Sequence, residues 1–182
     1  MSKAIMLSIR PKWCEKIASG EKTIEVRKTR PKLPTPFKCY IYCTLPTYPH
    51  EDFIATNYPT PQFYGGGKVV GEFTCDRIDR LAPANEPYGI YDIDDDYVLQ
   101  TCLENGALWD YGHGTPLFGW NISDLKIYDK PRELREFKKS NRDCFYADLG
   151  LAKRDCPDCK NSGCFLERPP QSWCYVEAIQ DG

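Results

Sequence analysis

The opening of the chain constrains the fold most. Residues 1–27 hold two strand patterns and a helix, a span far too compact for a dinucleotide-binding unit of the doubly wound kind. Lys3 to Arg10 alternates, with Ile5, Leu7 and Ile9 on one face, as a half-buried strand does. Pro11 suits the first turn of a helix, where its missing N–H costs nothing. Trp13 and Ile17 share one side of that helix, and Gly20 is a natural stop. A second strand follows at once, with Ile24 and Val26 turned inward. Side chains alternate along a strand, so Glu25 and Arg27 project together from its other face.

The rest of the chain repeats the short-strand theme. Arg30-Pro31-Lys32-Leu33-Pro34-Thr35-Pro36 is a stiff connection, and Cys39 to Thr44 reads as a third strand. Residues 46–67 read as a long loop rich in proline and ending in three glycines. Lys68 to Leu81 is the longest strand pattern. Asp94 to Asp96 cap a helix running to about Leu103, which Gly106 ends. Leu117 to Ile122, Leu125 to Tyr128 and Trp173 to Ile179 complete the strands. Such a series, with two or three helices, predicts an α+β fold built as a small mixed β-barrel. It forms a single domain over residues 1–182, with residues 140–166 as an insertion.

The formal net charge of -2 hides an asymmetry: residues 1–38 carry ten Lys or Arg against three Glu, and the remainder is acidic. A basic end on an acidic body can steer a polyanion to one face, and it is equally consistent with a solvated surface. No apolar stretch approaches a membrane span and no signal-peptide pattern opens the chain, so a cytoplasmic location with reduced thiols is expected.

Two constellations carry chemistry. The first is Lys22, Glu25 and Arg27. Arg offers a planar donor fork for phosphate or a base edge, Lys a mobile cation, and Glu an acceptor or proton relay. Spacing alone also fits an ordinary strand face with an internal ion pair. Trp13 and Trp173 adjoin the motif segments as candidate stacking surfaces, and Arg10 and Lys12 as candidate phosphate contacts. His113, in a loop rich in glycine, is a weaker acid–base candidate, and Asp92 to Asp96 serve helix capping more simply than a cation.

The second constellation is Cys156-Pro-Asp-Cys159-Lys-Asn-Ser-Gly-Cys164, with turn residues between thiols. This spacing presents sulfurs to zinc, whose tetrahedral shell takes four ligands. Cys144 is the expected fourth, with Cys174 the alternative. Four thiolates leave no open position, so the metal would be structural. Cys14, Cys39, Cys43, Cys75 and Cys102 read as core.

Gly20-x-Lys22-x-x-Glu25-x-Arg27 resembles the signature of the ASCH domain family, whose fold is similar to the PUA RNA-binding domain. The flanks agree: Ser8-Ile9-Arg10-Pro11-Lys12-Trp13 before it, Lys28-Thr29-Arg30-Pro31 after it, and Leu117-Phe-Gly-Trp-Asn-Ile122 further on. Arg168-Pro-Pro-Gln-Ser-Trp-Cys-Tyr-Val-Glu177 is similar to the closing strand of a bacterial and prophage branch. The resemblance implies a barrel with a cleft beside the first helix, lined by the signature residues, and RNA or a nucleotide as ligand. Some relatives are small enzymes, amidohydrolases on acetylated cytidine or ribonucleases. In the amidohydrolases a Lys-x-x-Thr pattern is catalytic; Lys22 matches the Lys, and Glu25 stands at the Thr position. The expected function is RNA or nucleotide binding through Arg10, Lys12, Trp13, Lys22, Glu25, Arg27 and Trp173. The alternatives are a small hydrolase using Lys22 and Glu25, or a protein-interaction module contacting a partner through the cysteine insertion.

Overall fold

The computed structural model describes residues 2–45, 66–85, 89–140 and 164–179. Six strands form one mixed sheet: β1 (Lys3–Ile9), β2 (Ile24–Arg27), β3 (Phe37–Cys43), β4 (Lys68–Leu81), β5 (Leu117–Arg132) and β6 (Trp173–Glu177). Their order is β2-β5-β4-β3-β1-β6. Three helices accompany them: α1 (Pro11–Ala18), α2 (Asp95–Thr101) and α3 (Asn105–Gly112). The architecture is α+β as expected, but the sheet does not close on itself among the described residues, so the expected barrel is not seen there. No described helix is long and apolar enough to cross a membrane.

The chain divides into two compact units. The first comprises residues 1–14, 38–72 and 126–182, the second residues 15–37 and 73–125; β4 and β5 each contribute to both. In the first unit β1 runs parallel to β3, with Ile5 opposite Cys39, and antiparallel to β6, with Ala4 opposite Val176. Flanked on both sides, β1 buries four consecutive residues, Ala4 to Leu7, instead of the single face that its alternation predicts. Ala4, Met6, Tyr40, Val69, Phe137 and Val176 pack as the core of this unit. Glu72 is buried here, with the Lys38 ammonium 3.0 Å from one carboxylate oxygen and the Tyr128 hydroxyl donating to the other at 2.5 Å. Burial pushes the Tyr128 phenol well up, and Glu72 reinforces the shift.

Beyond β6 the sheet edge is covered. The Glu177 amide donates to the Lys138 carbonyl at 2.9 Å and the Ser140 amide to that of Tyr175 at 3.1 Å. On the far side of that segment the Lys139 amide donates to the Cys164 carbonyl at 2.8 Å. A sheet edge left bare invites pairing with another chain, and these bonds occupy it.

In the second unit Val26, Leu81, Tyr91, Leu108 and Leu117 form the core. β2 pairs antiparallel with β5, placing Glu25 opposite Trp120 and Arg27 opposite Phe118. Asp94 caps α2 as predicted, its carboxylate accepting from the Tyr97 amide at 2.7 Å. That helix stops at Thr101, with Cys102 in the left-handed conformation at φ 54°. Gly106, expected as a stop, sits instead in the first turn of α3. The break predicted between Ile122 and Leu125 is absent. One strand runs through it, and Asp124 takes a left-handed kink at φ 48°, which Asp tolerates better than most residues.

Candidate functional site

Lys22, Glu25 and Arg27 come together in the second unit, and all three are buried, at 2, 6 and 7 % exposure. Strand parity explains half of this. Glu25 and Arg27 lie on one face of β2, and a guanidinium nitrogen of Arg27 stands 3.1 Å from the Glu25 carboxylate. Lys22 precedes the strand and turns its ammonium to within 3.5 Å of the other oxygen of Glu25. The remainder comes from the C-terminal end of α2. Its unsatisfied carbonyls are natural cation partners, and that of Thr101 accepts from the Lys22 ammonium at 2.6 Å. The Gln100 carbonyl accepts from the Thr23 amide at 3.0 Å, fixing the turn that presents Lys22. Thr23 itself is exposed, one position out of register with the buried pair.

Burial decides the electrostatics of Lys22. Desolvation pushes its pKa below the ordinary lysine value, and the neighbouring Glu25 carboxylate only partly restores it. The amine is therefore easier to deprotonate than a surface lysine. The Glu25 carboxylate, between two cations, supplies the acceptor of the set.

The other expected ligand-binding residues belong to the first unit. Arg10 precedes α1, the Lys12 ammonium lies 4.5 Å from the centre of the Trp13 ring, and Trp173 on β6 meets Tyr175 edge-on at 5.4 Å. The Ser8 hydroxyl donates to the Pro170 carbonyl at 2.6 Å, so the Arg168–Trp173 segment docks on the end of β1. His113 is the left-handed cap of α3 at φ 51°. Asp79, Arg80, Asp92, Asp94 and Tyr97 line a cavity of about 390 Å3. Two of its acids are already engaged: Asp94 caps α2, and Asp79 bonds Arg77 and Asn121.

Of the expected zinc ligands, Cys144, Cys156 and Cys159 lie outside the described residues. Cys164 is described, with φ at 62° and its carbonyl bonded to Lys139. Cys174, the alternative, packs against the first core from β6. Cys14, Cys39, Cys43 and Cys75 are buried as expected, whereas Cys102 is half-exposed because it caps α2 instead of lying within it.

Four contributors escaped the motif: the Thr101 carbonyl, Tyr111 of α3, and the pairs that Lys28 and Arg30 make. Tyr111 lies close enough to Arg27 and Glu25 to respond to both charges, while burial raises its phenol pKa. The Lys28 ammonium stands 4.9 Å from the Tyr111 ring centre, and the Arg30 guanidinium 5.9 Å from that of Phe118. Lys28 and Arg30 stand beside the motif in sequence; the pairing of β2 with β5 and the helical placement of Tyr111 were not visible there.

The fold has counterparts among solved structures. The crystal structure of ASCH from Zymomonas mobilis matches over 96 % of this chain and 87 % of its own, with a TM-score of 0.55 at 18 % sequence identity. The fold is that of an ASCH domain. Tyr-to-Phe and Ser-to-Ala variants of the same Zymomonas protein match the ASCH-like chain with TM-scores of 0.52, again at 18 % identity. They cover 97 and 96 % of it, and 91 and 88 % of their own chains. No protein-family model matches the ASCH-like chain, and no curated protein sequence does. At this identity the likeness speaks for the fold alone.

Proposed function

We propose that this ASCH-like protein binds RNA or a nucleotide in a cleft lined by Lys22, Glu25 and Arg27. The carrying observation is the burial of all three charges in one constellation. Each buried ion costs several kcal/mol in lost hydration, and apolar residues of similar volume would serve stability as well or better. A donor fork beside a carboxylate is what a base edge can be read by, since it offers donor and acceptor side by side. Titration with short RNAs at two salt concentrations tests this: wild type binds with salt-dependent affinity, and Arg27→Ala weakens it. Absence of binding at low salt overturns it.

One observation favours a second reading, a small hydrolase acting on a modified nucleoside or RNA. Lys22 is held below its ordinary pKa by burial, as a proton-transferring amine needs to be. Lys22 would then polarise or protonate while Glu25 acts as base. Turnover of acylated nucleosides or RNA that Lys22→Ala abolishes supports it; equal background in both proteins rejects it. A structural zinc on Cys144, Cys156, Cys159 and Cys164 is proposed on sequence spacing alone.

A further inference from the structure

The cavity of about 390 Å3 lies wholly in the second unit, and none of the buried triad lines it. It forms where the chain turns back after β4. Pro83 pairs antiparallel with Tyr91, and the Asp92 amide donates to the Ala82 carbonyl at 3.0 Å. Residues 79–81 and 92–94 thereby become facing walls, and Tyr97 closes one end from the first turn of α2. Leu81, Ile93 and the Tyr97 ring supply the apolar lining, buried or half-buried.

The charged residues around it differ in commitment. Asp79 holds Arg77 and Asn121 and accepts from the Tyr97 hydroxyl at 3.4 Å, and Asp94 caps α2. Arg80 and Asp92 line the same cavity, both exposed, and neither side chain makes a hydrogen bond or ion pair among the described residues. Opposite charges this near usually close on each other, although an exposed pair gains at most about 1 kcal/mol. Here they stand on separate walls with apolar surface between them. A molecule that carries both charges itself satisfies the two at once. The planar fork of Arg matches a carboxylate, and the carboxylate of Asp accepts from an ammonium. The volume falls within the range of small-molecule sites, about 300–1,000 Å3.

We propose that this cavity binds a free amino acid with an apolar side chain, Arg80 taking its carboxylate, Asp92 its ammonium, and Leu81, Ile93 and Tyr97 its side chain. The inference is independent of what the triad binds. NMR titration of the full chain tests it with four probes: L-leucine, glycine, isoamylamine (leucine without its carboxylate) and isocaproate (leucine without its ammonium). Leucine should shift the amide signals of Leu81, Ile93 and Tyr97, and each of the other three should bind at least tenfold more weakly. Arg80→Gln and Asp92→Asn should each weaken leucine tenfold or more. Both side chains are exposed and unbonded, so the fold should survive, and the comparison of the four probes on wild type stands without either variant. Three results overturn the inference: leucine that shifts nothing, isoamylamine or isocaproate that binds as tightly as leucine, or leucine affinity indifferent to both substitutions. Glycine binding as tightly as leucine overturns the assignment of an apolar side chain to the cavity.

Discussion

Replacing Glu25 by Gln keeps shape and hydrogen-bonding capacity but removes the one anion between two buried cations. Attraction at 3.1 and 3.5 Å in a medium of effective dielectric about 20 amounts to about 5 kcal/mol per ion pair. Much of that sum offsets the dehydration of the carboxylate, which the variant no longer suffers. Removing one partner of a buried pair leaves a net cost of about 3–5 kcal/mol. At a urea dependence of about 1–3 kcal/mol per M, the midpoint should fall by about 1–5 M. Trp120, buried and directly opposite Glu25, is a local fluorescence reporter. The pH dependence makes the test specific. Lys22 has a folded pKa below its unfolded value, so the unfolded chain binds more protons between the two, and stability rises with pH across that window. Glu25 is the main group holding the Lys22 pKa up, so in the variant it falls further and the rise begins at lower pH. The penalty of Glu25→Gln should therefore shrink as the solution is made alkaline. A loss under about 1 kcal/mol at neutral pH, or a penalty that grows with pH, would refute the electrostatic account of the triad.

Two further outcomes are open to direct measurement. A methyl group at Gly119 would meet the Tyr97 hydroxyl and stand 3.0 Å from the Ile24 side chain; Gly119→Ala should destabilise by about 1–3 kcal/mol in thermal unfolding, with Tyr97→Phe restoring part of it. Freshly purified protein should hold about one zinc by elemental analysis and lose it in Cys156→Ser; wild type free of metal would end the zinc proposal.

Local rules carried the sequence reading a long way at the start of the chain. Pro11 and Gly20 bound α1, with Gly20 at φ +80°, because each residue has a backbone reason to be there. Parity put Glu25 and Arg27 on one face, where they pair. It could not say that the face is covered, because part of the cover comes from the end of α2, some 75 residues away. The third helix was hidden by its own composition. Glycine at 106 and 112 reads as punctuation. Yet Gly112 is inside the helix because the Tyr91 hydroxyl occupies the space a Cβ would need. Close packing between distant residues overrode propensity there, and no local pattern records it.

The edge beyond β6 has an architectural consequence. Lys139 and Cys164 are joined backbone to backbone, and Lys138 bridges Phe165, so two points well apart in the chain are pinned side by side at this edge. The entropic cost of closing a chain between two such points grows only slowly with the number of residues between them. Changing the number of residues between Lys139 and Cys164 should therefore disturb the pairing of β6 little.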